Sequence, residues 1–278
     1  MIKLFTHTDM DGVACAVLAY VAYEGQVDIT YCDYHDVDEK VTTFIESGDA
    51  HKYDRILITD ISVNDATAEL IQSRIGSPML LLDHHASAER LNKYVWAVVM
   101  TTDTEGHKTS GTSLLYAYLL YERKIDPSST ALSVLAETVR RYDTWEWATF
   151  YHDAHPKLLN DLFWLIGSRA FFARFIVDQS VAFSDSERRL IDVEHRRIAE
   201  YIEKKANQMS FSIIQGKKVG IVFAEQYQSE LGNELAKSNP ELDLIAMIDP
   251  SKSVSYRTVK DDIDLSVFAQ YFGGGGHK

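Results

Sequence analysis

Cysteine is nearly absent. Only Cys15 and Cys32 occur in 278 residues, and neither belongs to a CxxC pair. That excludes a thiolate zinc site and a disulfide framework, and it sets a reducing, cytoplasmic compartment as the expectation. Positive charge is also short: 28 Lys and Arg stand against 41 acidic residues, a net charge of −13. This argues against a protein that coats long nucleic acid through a basic field. It does not exclude a small phosphorylated ligand at a metal site, because divalent ions reverse the local charge of a carboxylate cluster. No apolar run is long enough to span a bilayer, so no membrane partner is expected. The opening Met1-Ile2-Lys3-Leu4-Phe5 lacks a signal-peptide core. The remaining composition is that of a globular protein with length for one large domain or two modest ones.

The stretch that organises the chain is Leu80-Leu81-Leu82-Asp83-His84-His85. An apolar run ending in an acid and two histidines reads as a buried parallel strand with ligands at its carboxyl end. Open α/β sheets bind ligands at that edge, and imidazole with carboxylate suits a divalent transition metal. Taken alone, a strand followed by a polar turn explains it equally well. The first strand, Lys3 to His7, runs into His7-Thr8-Asp9-Met10-Asp11-Gly12. In extended chain His7, Asp9 and Asp11 share a face, and Gly12 permits a tight turn into a helix over Val13 to Tyr23. An acidic helix cap beside a chance histidine is the alternative. Arg55 to Asp60 repeats the pattern of apolar run and terminal acid. One such strand is weak evidence; three βα units delivering acids or histidines to one sheet edge are strong evidence.

Between these lie a strand over Asp28 to Asp33, a polar loop Tyr34-His35-Asp36 read as a helix cap, and helices over 38–47 and 65–75. A further apolar strand is expected over Tyr94 to Val99, then helices over Gly111 to Tyr121 and Ser128 to Arg141. Asp143, next to Arg140 and Arg141, is a candidate carboxylate ligand, with a surface ion pair as the alternative. His155 to Phe175 reads as a packing helix. Ser184 to Gln208 reads as a long amphipathic connector that opens on a Ser184–Glu187 capping signal. Beyond it come a hairpin around Gln215-Gly216-Lys217, a helix over 230–238, strands over 242–248 and 254–259, and a short helix over 265–271. The run Gly273-Gly274-Gly275-Gly276-His277 exposes backbone N–H groups that suit a phosphate or carboxylate; a loose tail is the alternative.

Asp83-His84-His85, with the His-x-Asp-x-Asp-Gly of residues 7 to 12, Asp60 and Asp143, resembles the DHH phosphoesterases. The glycine run and His277, following Ser255-Tyr256-Arg257, resemble the DHHA1 subdomain. The Tyr142-Asp143-Thr144-Trp145 form of the last acidic motif is most similar to the NrnB-type oligoribonucleases, or nanoRNases. The resemblance implies an α/β fold: a mostly parallel-sheet DHH domain over 1–180, a connector helix over 181–210, and a smaller α/β DHHA1 domain over 211–278, with the active site in the cleft between domains. It implies two Mn²⁺ ions, with Mg²⁺ or Co²⁺ as substitutes. His7, Asp9 and Asp60 would hold one; Asp11, Asp60, His84 and Asp143 would hold the other. Asp83 would orient a histidine and His85 would face the scissile phosphate. Arg257, Gly274, Gly275, Gly276 and His277 would clamp the substrate's far end.

Two departures stand out. The spacing from His7 to Asp9 is tighter than in family members with three intervening residues, and the chain stops where the DHHA1 pattern continues, so a shortened recognition domain is expected. The implied function is a two-metal phosphodiesterase that cuts short oligoribonucleotides or linear dinucleotides to nucleoside 5′-monophosphates. A homodimer stays open, and long duplex nucleic acid is not an expected partner. The competing readings are a RecJ-like single-strand DNA exonuclease, a pyrophosphatase or 3′,5′-bisphosphate phosphatase of the same fold, and a non-catalytic module. Acidity disfavours the first, and filled ligand positions disfavour the last. No protein nucleophile is evident.

Overall fold

The computed structural model describes residues 1–76, 78–251 and 253–274. Two compact units divide it, Met1–Arg188 and Arg189–Lys278. The first unit is built on strands β1 (Ile2–His7), β2 (Val27–Cys32), β3 (Arg55–Thr59), β4 (Met79–Asp83) and β5 (Ala97–Val99). All pair in parallel in the order β2-β1-β3-β4-β5. The order reverses between β1 and β3, the position where doubly wound sheets open a crevice at their carboxyl edge.

Helices α1 (Met10–Ala22), α2 (Val37–Glu46), α3 (Asp65–Arg74), α4 (Gly111–Tyr121), α5 (Thr130–Asp143), α6 (Glu146–Thr149) and α7 (His155–Val177) complete this unit. Strand periodicity sorts the core. Phe5, Ile56, Ile58 and Leu81 pack with Val41, Ala68 and Ile71 of α2 and α3. The alternate residues Leu4, Leu57 and Leu82 pack with Cys15, Leu18, Leu115 and Leu119 of α1 and α4. Both faces are covered, and this is why the strands read as continuous apolar runs. Helix α1 is apolar on its far side as well, where Met10, Val13 and Val17 meet Leu135, Val139, Phe163 and Phe171.

Register levels the strand ends. Thr6 pairs with Thr59, and Thr59 with Leu82. The next residues, His7, Asp60 and Asp83, therefore leave three neighbouring strands together. Beneath them Thr59 Oγ1 donates to Thr6 Oγ1 at 2.9 Å, and Thr6 Oγ1 donates to the Gly12 carbonyl at 2.9 Å.

The expected strand over Tyr94 to Val99 is shorter. Ala97 N–H donates back to the Tyr94 carbonyl at 3.1 Å, and Tyr94 stacks on Trp96. That turn delays sheet pairing to Ala97. Residues 86–93, for which no element was expected, form 3-10 turns.

Helix α8 (Asp185–Ala206) holds the boundary between the units. Its start is a reciprocal cap: Ser184 N–H donates to Glu187 Oε2 at 2.7 Å, and Glu187 N–H to Ser184 Oγ at 3.3 Å. The second unit carries β6 (Ser210–Ile214), β7 (Lys217–Phe223), α9 (Gln228–Ser238), β8 (Leu244–Ile248), β9 (Val254–Arg257) and α10 (Leu265–Gln270). Its sheet runs β6-β7-β8-β9, with only the β7–β8 pair parallel. The hairpin turns at Gln215 and Gly216, whose φ values of 51° and 73° match the twist of a two-residue hairpin. No described helix is long and apolar enough to cross a membrane.

Candidate metal centre

The centre sits at the carboxyl edge of β1, β3 and β4. His7 ends β1. Asp9 caps α1, its Oδ1 accepting Gly12 N–H at 3.0 Å, and Asp11 lies in the first helical turn. The extended-face reading of His7, Asp9 and Asp11 is thus corrected. Helix begins at Met10, because the Asp9 cap bends the chain there, and the three side chains serve two different groups. Gly12 is required by the bend: a Cβ there would stand 2.2 Å from the His7 carbonyl oxygen.

One group of potential ligands is His7, Asp9 and Asp60; another is Asp11, His84 and Asp143. His7 Nδ1 lies 2.9 Å from Asp9 Oδ2 and 3.9 Å from Asp60 Oδ2. His84 Nε2 lies 3.2 Å from Asp60 Oδ1, 3.5 Å from Asp143 Oδ2 and 3.9 Å from Asp11 Oδ2. Asp60 therefore turns one oxygen toward each group. His7 Nδ1 and Asp60 Oδ2 are buried with no aligned hydrogen-bond partner among the described residues. Close donor atoms left without hydrogen bonds, mixing imidazole and carboxylate, fit divalent cations, whose ligand atoms crowd together around one ion.

Charge explains the titration of the cluster. Burial, then the charges of Asp11 and Asp9, push the Asp60 carboxyl well above the usual range. The same causes push Asp143 up to about 8. Burial holds His84 below the ordinary histidine value. At His7 burial acts downward, but the adjoining Asp9 carboxylate outweighs it and the value rises. His85 is raised chiefly by its hydrogen bond to Asp83, against burial. Packing carboxylates this closely is costly without cations.

Asp83 is fully buried. Its Oδ1 accepts from His85 Nδ1 at 2.7 Å and from the His84 N–H at 2.8 Å. It fixes the ring of His85, which is 35% exposed. Asp143 closes α5. Its neighbours do not make it a surface pair: Arg140 bonds Glu137 and Glu146, and Arg141 bonds Glu137, leaving Asp143 to face His84.

Sequence reasoning missed the support for Asp11 and Asp60. Asp11 accepts the N–H groups of Gly111 and Thr112 at 2.7 and 2.9 Å, so the carboxylate sits on the N-terminus of α4. Ser110-Gly111-Thr112 heading an apolar helix was the available signal, the same kind as Asp11-Gly12. Tyr34, in the loop expected to serve as a helix cap, is the other site residue that sequence reasoning missed. It leaves the carboxyl end of β2 on the ligand-bearing edge, which was the clue to it.

No protein-family model matches the chain. Oligoribonuclease NrnB of Bacillus subtilis (strain 168) is 40% identical over 285 residues, covering 100% of this chain and 71% of that protein. The chain belongs to the NrnB-type oligoribonucleases of the DHH phosphoesterase family. Members of that family are hydrolases. The NrnB-type chain shares its fold with exonuclease RecJ bound to manganese, at a TM-score of 0.57 and 15% identity, covering 97% of this chain and 80% of that one. It likewise resembles the pGpG-specific phosphodiesterase PggH from Vibrio cholerae, at a TM-score of 0.55 and 13% identity, covering 100% and 90% of the two chains.

The substrate-binding expectations of this NrnB-type chain fall in its second unit. Arg257 ends β9, exposed, with Nη2 3.3 Å from Ser229 Oγ. Gly232 of α9 passes so close that a Cβ there would meet Arg257 Cγ at 2.5 Å. Gly274 N–H donates to the Ala269 carbonyl at 3.0 Å behind α10. Gly275, Gly276 and His277 lie outside the described residues.

Proposed function

We propose that this protein hydrolyses short oligoribonucleotides or linear dinucleotides to nucleoside 5′-monophosphates, using two divalent ions, Mn²⁺ foremost. The observation that carries the reading is Asp60, with one oxygen toward His84 and the other toward His7. His7, Asp9 and Asp60 would hold one ion; Asp11, Asp60, His84 and Asp143 the other. When bound, such a pair neutralises phosphoryl charge and acidifies water.

The protein's own groups do the rest. The Asp83 carboxylate holds a proton on His85 Nδ1 and favours the imidazolium. His85 then presents Nε2–H to a phosphoryl oxygen as charge grows on it in the transition state. Arg257 is suited to bidentate capture of a second phosphate; the sequence alone, with its glycine run and His277, supports a role for those residues at the same end of the substrate. With a net charge of −13 the protein has little to offer distant phosphates. That supports a short substrate.

The test is incubation with Mn²⁺ and end-labelled RNA and DNA, from dinucleotides to chains of roughly 24 nucleotides, a length where a basic track would begin to matter. The expected result is fastest release of 5′-monophosphates from the shortest RNA. Equal efficiency on the longest DNA would favour the RecJ-like reading instead.

A further inference from the structure

Tyr34 stands over the centre without being a metal ligand. Its loop is built rather than slack. Asp33 N–H donates to Asp36 Oδ1 at 2.7 Å, His35 N–H to Asp33 Oδ1 at 3.2 Å, and Lys40 ties Asp36 to the Tyr31 carbonyl at 2.7 and 2.8 Å. The Tyr34 ring packs on His7 with centroids 4.8 Å apart and meets His85 edge-on at 6.1 Å. Its hydroxyl lies 3.4 Å from His85 Nε2. Yet the side chain belongs to a residue 57% exposed, an aromatic held at the site and open to solvent.

Asp83 occupies His85 Nδ1, so Nε2 is the atom His85 offers outward. The Tyr34 hydroxyl lies beside that atom. The Tyr34 hydroxyl and His85 Nε2, 3.4 Å apart, leave room for one oxygen at about 2.8 Å from the hydroxyl, an ordinary hydrogen-bond length. From this geometry we propose that the Tyr34 hydroxyl donates to one non-bridging oxygen of the scissile phosphate at the place His85 faces, with the Tyr34 ring walling the His7 side of the pocket. This deepens the phosphodiesterase reading and rests on it. The hydroxyl donates to the oxygen on which charge grows, so its contribution falls on turnover more than on ground-state affinity.

The test uses the full chain loaded with Mn²⁺, as wild type, Tyr34→Phe and Tyr34→Ala. The substrate is linear diadenylate with an ordinary linkage or with Rp or Sp phosphorothioate at the scissile phosphate. Affinity is read separately with a non-hydrolysable methylene-phosphonate dinucleotide. Tyr34→Phe should lower kcat/KM about tenfold, the worth of one hydrogen bond to a charged group. The loss should sit mostly in kcat, with dinucleotide affinity and Mn²⁺ binding close to wild type. Sulfur accepts hydrogen bonds poorly, so the oxygen-to-sulfur rate ratio should shrink in Tyr34→Phe for one diastereomer only. Tyr34→Ala should show the same stereospecific change plus weaker dinucleotide binding. Unchanged ratios for both diastereomers, or Tyr34→Phe activity within twofold of wild type, would overturn the proposal alone. A wild type that binds Mn²⁺ and leaves diadenylate intact would overturn the phosphodiesterase reading and this inference with it.

Discussion

Gly111 stands so close to Asp60 that a Cβ on it would lie 2.3 Å from the Asp60 Cβ. Asp60 itself holds a φ of 58°, a left-handed backbone that costs a non-glycine residue energy. The start of α4 and the end of β3 thus set each other's position. Gly111→Ala should destabilise the protein by about 1–3 kcal/mol, as overpacking does. It should also weaken Mn²⁺ binding at least about tenfold by displacing a ligand. Denaturant melts with calorimetric Mn²⁺ titration measure both; wild-type affinity in the variant would separate Gly111 from the site.

Asp60→Ala should abolish turnover and lower Mn²⁺ occupancy, since the side chain faces both ligand groups. Asp60→Asn is the finer probe. The raised Asp60 carboxyl resembles a neutral amide in the metal-depleted protein. The amide should therefore change metal-depleted stability by less than about 1 kcal/mol. It should erase the rise in Tm that Mn²⁺ confers on the wild type. Full activity in either variant contradicts the shared-ligand assignment.

Acid should stabilise the metal-depleted protein. Asp60 and Asp143 keep protons in the fold that the unfolded chain has already lost. Their contribution is complete below the unfolded value of 3.8 and is lost as pH rises, through about 8 for Asp143. The raised His7 and His85 act in the same direction, and the lowered His84 opposes them. Tm in EDTA should therefore fall between pH 5 and 8. Mn²⁺ should raise Tm more at pH 8 than at pH 5, because protons compete with the metal. Asp143→Asn should flatten the EDTA profile, and a profile that rises with pH would contradict the assignment.

Asp83 accepts from His85 Nδ1 and from the His84 N–H with one oxygen. Asp83→Asn substitutes a weaker acceptor and removes the charge that favours the imidazolium. Turnover should drop about 10–100-fold, the range for groups that orient a metal-site histidine. Steady-state kinetics beside Mn²⁺ binding should show the loss in kcat with the metal retained; a loss confined to metal affinity would reassign Asp83.

Arg257→Ala should remove the preference for short substrates and raise KM more than it lowers kcat, as for lost ground-state binding. In the wild type kcat/KM should peak at about two to five nucleotides, since a net charge of −13 gives distant phosphates little attraction. Arg257→Lys should recover only part of the loss, because a point charge does not reproduce the guanidinium fork. A wild type that degrades long and short chains alike would remove the basis for the clamp.

Local signals in the chain determined a good deal. Apolar runs closed by His7, Asp60 and Asp83 marked three buried parallel strands and the edge they share, because a strand covered on both faces must be apolar along its length. Ser184 to Glu187 marked the start of α8, because a capping box is complete within four residues. The DHH and acidic motifs were enough to place the chain among the DHH phosphoesterases. Strand limits were less legible: Tyr94 to Trp96 has strand composition, but the Tyr94–Ala97 turn and the stacked rings keep it out of the sheet.

Spacing alone grouped His7, Asp9 and Asp11, and the family resemblance implied two ligand groups; the tertiary structure supplied the geometry that separates them. His7 and Asp9 lie with one oxygen of Asp60; Asp11, only two residues beyond Asp9, lies with His84 and Asp143. The contact of Gly111 with Asp60, the seat of Asp11 on α4 and the place of Tyr34 against His85 join residues 51 to 101 positions apart. Local sequence carries hydrogen bonds that close within a turn. Contacts across such separations exist only after register and crossover have brought the strand ends together, so only the fold could disclose them.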